Sequence, residues 1–117
     1  MTSGLAFRAA VEDALLRDEP DELTDLVVDV ALEASDPEWA QTCCVQLSRH
    51  RNALVRGNAV LGLGHLARRF GQLDPQRVRR VVDRALHDRS PFVREQADSA
   101  ADDLETFLSW RFERPEP

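Results

Sequence analysis

The chain has 117 residues, a length that fits one domain with a modest hydrophobic core and no large enclosed active site. It carries 21 acidic and 15 basic residues, all of the basic ones arginine, for a net charge of −6. No apolar run approaches the ~18 residues of a membrane span, and the N-terminal stretch shows no basic region followed by an apolar run, so we expect a cytoplasmic protein that binds no membrane.

The charges are unevenly distributed along the chain. Residues 1–38 carry 11 acidic residues and 2 arginines, residues 49–94 carry 11 arginines and 3 acidic residues, and residues 95–117 carry 7 acidic residues and 2 arginines. This segregation predicts either complementary packing between neighbouring segments or separate acidic and basic faces for partners.

Capping residues and prolines divide the chain into six predicted helices and no strands. Three predicted starts pair a capping side chain with a proline at the first helical position: Asp36-Pro37, Asp74-Pro75 and Ser90-Pro91. Asn52 fits a further N-cap, and Gly71 fits the position just past a helix end. The predicted helices cover residues 4–17, 20–34, 37–49, 53–70, 75–87 and 91–109. Residues 113–117 are expected to form a frayed tail.

Shifting the sequence against itself by 38 positions reveals a repeat. Seven of the 35 residues from 36 to 70 are identical to the residue 38 places later. The identical pairs are Asp36/Asp74, Pro37/Pro75, Arg51/Arg89, Val55/Val93, Arg56/Arg94, Ala59/Ala97 and Leu66/Leu104. A period near 40 with two helices per unit is typical of an α-solenoid. We therefore predict an all-α fold of about three hairpins, at residues 4–34, 37–70 and 75–109, in one domain at residues 1–112.

These repeats resemble the HEAT family. The resemblance depends on DRSPFVREQADSA at residues 88–100 and HRNALVRGNAVLGLG at residues 50–64, where a turn aspartate precedes Val-Arg and a small residue. Asp88 and Arg94 match in the last hairpin and Arg56 in the middle one, where His50 replaces the aspartate. The resemblance implies a short right-handed α-solenoid. It also implies that Arg56, Arg94 and Asp88 are structural, the arginines bonding turn carbonyls and carboxylates along the seam between hairpins.

The predicted fourth helix contains Gly57, Gly62 and Gly64, although each interior glycine costs a helix roughly 1 kcal/mol relative to alanine. We expect Gly62 and Gly64 to lie where a neighbouring helix leaves no room for a side chain. Helical spacing predicts a core stripe of Val55, Ala59, Leu63, Leu66 and Phe70.

Another stripe of the same helix predicts a polar groove. Its members are Asn58, Leu61, His65 and Arg69, and the residues 38 positions later are Gln96, Ser99, Asp103 and Phe107. The second helix adds an acidic row of Asp25, Asp29 and Glu33. In a HEAT stack the second helices line the concave side, so the resemblance implies a protein-docking groove with an acidic border. The candidate partner contacts are Trp39, Asn58, His65, Gln96, Asp102 and Asp103, with Asp25 and Asp29 as steering charges.

The two tryptophans have different predicted roles. Trp39 either packs on the first helix or anchors a partner. Trp110 is expected to cover the open end of the last hairpin.

We find no pattern typical of catalysis. The histidines, His50, His65 and His87, have no partner at metal-ligand spacing. Cys43 and Cys44 are adjacent, and we expect one buried and one partly buried thiol. Neighbouring helical residues point about 100° apart, so Asp102 and Asp103 make no acid/base pair. We expect a non-enzyme without metal, cofactor or small-molecule substrate.

Four segments are similar to the small HEAT-repeat immunity proteins encoded beside bacterial polymorphic toxins. They are DPEWAQ at residues 36–41, VRGNAVLGLGHLAR at 55–68, LD at 73–74 and ADDLETFLSW at 101–110. The resemblance implies a protein that binds a cognate toxin domain encoded by a neighbouring gene. It would block the toxin's active site by steric occlusion and charge complementarity.

Two alternative binding functions stay open at this point. One is a HEAT-repeat adaptor or assembly module whose partner is not encoded beside it. The other is nucleic-acid binding through Arg68, Arg69, Arg77, Arg79, Arg80 and Arg84. The lack of lysine and a pI near 5.0 count against nucleic acid.

Overall fold

The computed structural model of this chain describes residues 4–115. These residues form six helices and no strand, which confirms the all-α prediction. The helices are α1 (Gly4–Arg17), α2 (Pro20–Glu33), α3 (Pro37–Leu47), α4 (Ala53–Phe70), α5 (Pro75–Ala85) and α6 (Pro91–Leu108). α3 and α5 each end two residues earlier than predicted. Their last turns tighten, because the N–H of His50 bonds Leu47 O and the N–H of Asp88 bonds Ala85 O, three residues back.

The helix ends follow the predicted capping residues. The side chains of Asp36, Asn52, Asp74 and Ser90 accept hydrogen bonds from backbone N–H groups in the first turns of α3, α4, α5 and α6. Gly71 ends α4 with a φ of 71°, in the left-handed region that glycine adopts without strain. The four caps and this stop are confirmed.

The helices α2, α4 and α6 lie side by side and run in the same direction, with α4 in the middle. Early and late residues of α4 contact early and late residues of α2, as the hydrogen bonds from Asn58 to Thr24 O and from Arg69 to Ala34 O show. α6 is likewise parallel to α4, because the early Gly57 contacts Phe92 and the later Gly64 contacts Ala100. α3 packs on both α2 and α4, and α5 packs on both α4 and α6. The hydrophobic core lies between these helices, and the buried side chains of α4 fill its centre.

The glycines of α4 allow neighbouring helices to pack closely against it. A Cβ added to Gly64 would lie 3.1 Å from Ala100 Cα and 2.8 Å from an Asp103 carboxylate oxygen, both on α6. A Cβ on Gly62 would lie 3.0 Å from Cys44 Sγ and 3.1 Å from the Ala31 Cβ. The prediction of close approach is confirmed at both, although Gly62 meets side chains rather than a backbone. Gly57 has no role in the prediction, but a Cβ added there would lie 2.5 Å from the Phe92 ring of α6, so this glycine makes room for the ring.

The segment after α6 folds back onto the helices. Ser109 has a φ of 60° and ends α6, after which Trp110 and Phe112 pack half-buried against the core. This agrees with the expectation that Trp110 covers the last hairpin. Residues 113–117 were expected to fray, but the Arg114 guanidinium bonds carboxylates of α6. Residues 116 and 117, like residues 1–3, lie outside the described residues.

Within residues 4–115, no helix combines the length and the apolar character that crossing a membrane requires.

Candidate partner-binding face

Arg56 and Asp88 form a nearly buried ion pair that joins the turns of successive hairpins. The guanidinium donates from Nε and Nη2 to the two Asp88 carboxylate oxygens, at 3.0 and 2.9 Å. Its Nη1 donates to the carbonyls of His50 and Arg51 at 3.2 and 3.0 Å. The guanidinium holds the pKa of Asp88 below its ordinary value, against the opposing effect of burial. Arg94 donates to the Asp88 carbonyl at 2.7 Å. All three residues bond the turns of the hairpins; Arg56 and Asp88 are largely buried there, whereas Arg94 is exposed.

An equivalent pair, with the acidic residue in the earlier hairpin instead of the later one, joins the first two hairpins. Asp18 lies 38 positions before Arg56, and His50 lies 38 positions before Asp88. The His50 Nδ1 accepts the Asn52 N–H at 3.0 Å, so its Nε2 carries the proton and donates to Asp18 at 2.6 Å. Hydrogen bonds from Arg51, and then from His50, lower the pKa of Asp18. Asp18 is absent from the predicted site residues, because its pair and that of Arg56 place the acid and the base in opposite hairpins, so the two pairs share no identical residues.

Three of the predicted groove residues lie against neighbouring helices. The Asn58 amide donates to Thr24 O at 3.1 Å and so ties α4 to α2. Asp103, only 17% exposed, lies over Gly64 and accepts from Arg68 at 3.1 Å. Gln96 packs half-buried beside Gly57. These side chains are therefore largely committed to packing between helices.

His65 lies half-buried beside the ion pair of Arg68 with Asp103. Burial lowers the pKa of His65, and the positive charge of Arg68 lowers it further, while Asp103 acts in the opposite sense. Both burial and Arg68 therefore favour the neutral form of this imidazole. The Arg68 guanidinium lies 5.7 Å from the ring centroid of Phe107, so this end of the α4–α6 contact is covered by an aromatic and a cation.

The exposed stripes of α2 and α4 carry both free carboxylates and apolar side chains. On α4, Gly57 and Gly64 face α6, whereas Asn58 and Arg69 face α2, so the side of α4 between these directions points outward. We define the outer face by six residues: Asp25, Asp29, Leu32, Leu54, Leu61 and His65. Leu32 and Leu54 are each 50% exposed. The carboxylates of Asp25 and Asp29 are exposed, and they make no hydrogen bond or ion pair within residues 4–115.

Two predicted contacts lie away from the outer face. Asp102 accepts from Arg114 at 2.8 Å on the far flank of α6. Trp39 packs edge-on against Phe7 of α1, with ring centroids 6.0 Å apart, and Arg8 lies 5.3 Å from its centroid. The Trp39 side chain lines an open depression of about 630 Å³ between α1 and α3. Trp39 thus packs on α1, which is one of the two roles predicted for it. The candidate residues do not share one surface, because Asp102 and Trp39 lie away from the outer face.

Most arginines proposed for nucleic acid are engaged within the protein. Arg68 bonds Asp103, and Arg69 donates to the carbonyls of Ala31 and Ala34 at 2.8 and 2.7 Å. The other two engaged arginines are Arg77, which bonds Glu38 and Thr42, and Arg79, which bonds Arg111 O. Of the six, Arg80 and Arg84 alone have no such partner within the described residues. Two free guanidiniums on α5 make a narrow footprint for a phosphate backbone.

The thiols do not form a reactive pair. Both cysteines are buried, so the expectation that one of them is partly buried is wrong. Burial raises the pKa of the Cys43 thiol to about 11 and that of Cys44 further still. Neither thiolate forms at neutral pH, which a nucleophile would require. Within residues 4–115, no group of three His, Cys, Asp or Glu side chains is placed to hold a metal ion.

Comparison of the chain with family models, with curated proteins and with solved structures finds no match.

Proposed function

We propose that this chain is an immunity protein built as a short, right-handed, HEAT-like α-solenoid of three hairpins, which binds a cognate toxin domain in the cytoplasm and occludes its active site. The observation that carries the proposal is the outer face. There α2 carries the unpaired carboxylates of Asp25 and Asp29 together with the exposed Leu32, and the neighbouring α4 carries the exposed Leu54. Such a mixture fits recognition of another polypeptide.

The solenoid part of the proposal draws on the repeated contacts. The helices α2, α4 and α6 run in the same direction at successive positions, as second helices of stacked hairpins do. The ion pair of Arg56 with Asp88 and the hydrogen bond of His50 with Asp18 recur at the same register, 38 residues apart. Both support a repeat at the level of contacts as well as of sequence.

The two kinds of side chain on the outer face have different roles in binding. Burying an exposed leucine stabilises a complex by roughly 1–2 kcal/mol, so Leu32 and Leu54 supply affinity. The free carboxylates of Asp25 and Asp29 attract a basic cleft and raise the association rate more than the affinity. Asp103 contributes little steering because Arg68 neutralises it. The expected partner is therefore a toxin domain with a basic cleft beside an apolar patch.

Co-purification tests the proposal. The chain is expressed with the product of its neighbouring gene, and the two are expected to elute as one complex. The double variant Asp25→Arg with Asp29→Arg is expected to lower affinity at least tenfold and to reduce its salt dependence. The matched control is Asp13→Arg with Asp83→Arg, which changes the net charge equally at two exposed carboxylates away from the outer face. Equal affinities of the two double variants would contradict the outer face as the binding surface.

A complex that does not form would contradict the immunity function itself. In that outcome the same outer face would serve an adaptor, whose partner is encoded elsewhere.

A further inference from the structure

One identical pair of the 38-residue repeat, Arg51 and Arg89, has no shared role in the fold. The other six pairs either begin helices, fill the core or, like Arg56 and Arg94, bond turn carbonyls. Arg51 and Arg89 are exposed. Arg51 donates to Asp18 at 2.7 Å, whereas the Arg89 guanidinium makes no hydrogen bond or ion pair within residues 4–115. The fold therefore does not explain why both turns carry an arginine at this position.

Arg51 and Arg89 line one open depression at the edge of the molecule, where the turns of the second and third hairpins are joined by the pair of Arg56 with Asp88. The depression has a volume of about 360 Å³. It is lined by Arg49, His50, Arg51, Arg56, Asp88 and Arg89. Each of these side chains is charged or polar, so a ligand here would be held by charge and hydrogen bonds rather than by apolar contacts.

The carboxylates at this edge are already bonded to other side chains. The two Asp88 oxygens accept from Arg56 at 3.0 and 2.9 Å. The two Asp18 oxygens are bonded to His50 at 2.6 Å and to Arg51 at 2.7 Å. Asp88 therefore offsets the charge of Arg56, and Asp18 offsets that of Arg51.

The other two arginines of the depression have no counter-ion of their own. Arg49 and Arg89 are exposed and make no hydrogen bond or ion pair in the described part of the chain. The chain nevertheless has six more acidic than basic residues. Four arginines and two carboxylates leave two positive charges unbalanced at this edge, and an anion between them would relieve their repulsion.

We propose that the depression binds a small anion that carries a phosphate group, with Arg49 and Arg89 as its main contacts and Arg51 beside them. A phosphate group carries about 1.5–2 negative charges at neutral pH and offers three acceptor oxygens, which suits two unbalanced guanidiniums. A carboxylate would balance only one of them. The arginines line one depression rather than a track along the surface, which favours a compact anion over a nucleic-acid strand. The site shares no residue with the outer face.

Titration with sodium pyrophosphate at constant ionic strength, followed by backbone amide NMR shifts, tests the site. Shifts are expected at residues 49–51 and 88–89. The double variant Arg49→Gln with Arg89→Gln is expected to bind pyrophosphate at least tenfold more weakly than the wild type. The matched control is Arg80→Gln with Arg84→Gln, which removes the same charge from two exposed arginines of α5, and it should keep the wild-type affinity.

The proposal would be overturned by wild-type protein that shows no shift at residues 49–51 and 88–89, and equally by the same loss of affinity in both double variants. None of the four substituted side chains makes a hydrogen bond or ion pair within residues 4–115. Both double variants should therefore keep the wild-type Tm, so that a loss of affinity reports the site and not the fold.

Inorganic phosphate and a twelve-nucleotide oligothymidylate distinguish the sources of the phosphate group. Pyrophosphate should bind more tightly than phosphate because it carries more negative charge, and the oligothymidylate should bind no more tightly than pyrophosphate. Tenfold tighter binding of the oligothymidylate, lost in Arg49→Gln with Arg89→Gln, would overturn the assignment of a small anion. None of these measurements uses a toxin domain, so failure here is distinct from failure of the proposed function.

Discussion

At the scale of single residues, the most constrained side chains are those that join one hairpin to the next. Arg56 makes four hydrogen bonds and is only 11% exposed, and its partner Asp88 is 15% exposed. A charge so placed is stabilising while its partner is present and costly when the partner is removed. The same reasoning makes close-packed glycines sensitive, since an added methyl group there has no free volume to occupy.

Replacing Asp88 by asparagine is expected to destabilise the fold by about 2 kcal/mol, because the Arg56 guanidinium loses its charged acceptor. Urea denaturation measures this, with Asp83→Asn as an exposed control. The folded pKa of Asp88 lies below its ordinary value. Its stabilisation is therefore present above the ordinary carboxyl range and is lost as the pH falls through the folded pKa. The variant should accordingly lose less stability in acid than the wild type, and an equal loss would contradict this role.

Gly64→Ala is expected to cost about 1–3 kcal/mol, because the new Cβ would press on the Ala100 backbone at 3.1 Å. This strain exceeds the roughly 1 kcal/mol that alanine gains over glycine in a helix. The control is Gly4→Ala, where the added Cβ would lie 3.8 Å from its nearest neighbour, Ser35 Oγ. Thermal unfolding should show a lower Tm for Gly64→Ala and little change for Gly4→Ala. A higher Tm for Gly64→Ala would contradict this prediction, because it would mean that α6 can shift to make room for the new methyl group.

At the scale of the helices, stability depends on bonds that one helix makes to the end of another. α2 has no basic residue in its last turn, so its terminal carbonyls lack a local partner. Arg69 of α4 donates to two of them, Ala31 O and Ala34 O. A helix end can therefore be completed by a distant segment, which the local pattern of α2 does not reveal.

Arg69→Ala is expected to destabilise the protein by about 1 kcal/mol and to speed amide exchange in the last turn of α2, since both carbonyls lose a charged donor. Exchange measured by mass spectrometry, together with urea denaturation, checks this. Arg80→Ala serves as the control because it removes an arginine that has no partner in the described part of the chain. Faster exchange confined to α4 itself would contradict the capping role.

Local signals predicted the helices more accurately than the site. Asp36 and Ser90 cap helices through atoms two or three residues away, so sequence suffices to identify them. The contacts of Arg114 could not be anticipated, because this arginine meets its carboxylates only after α6 has formed. The sequence leaves Trp39 between packing on α1 and anchoring a partner, because the choice depends on its contact with Phe7 of another helix.

At the scale of the whole molecule, the internal pairing of charges decides which faces are free to bind. The arginines of α4 and two of those on α5 bond acidic residues or carbonyls, and four of the five carboxylates of α6, all but that of Glu95, bond Arg114 or Arg68. What stays unpaired includes the carboxylates of Asp25 and Asp29 near one end and the guanidiniums of Arg80 and Arg84 near the other. The molecule thus presents an acidic surface and a basic one, and the acidic surface adjoins exposed leucines.

The most direct measurement is an amide-exchange footprint of the complex between this chain and the product of its neighbouring gene. Binding through the outer face predicts slower exchange along α2 and α4, with α5 unchanged. It also predicts that Asp25→Arg with Asp29→Arg removes this protection. Protection confined to α5 around Arg80 and Arg84, or no complex at all, would contradict a partner-binding role for the outer face.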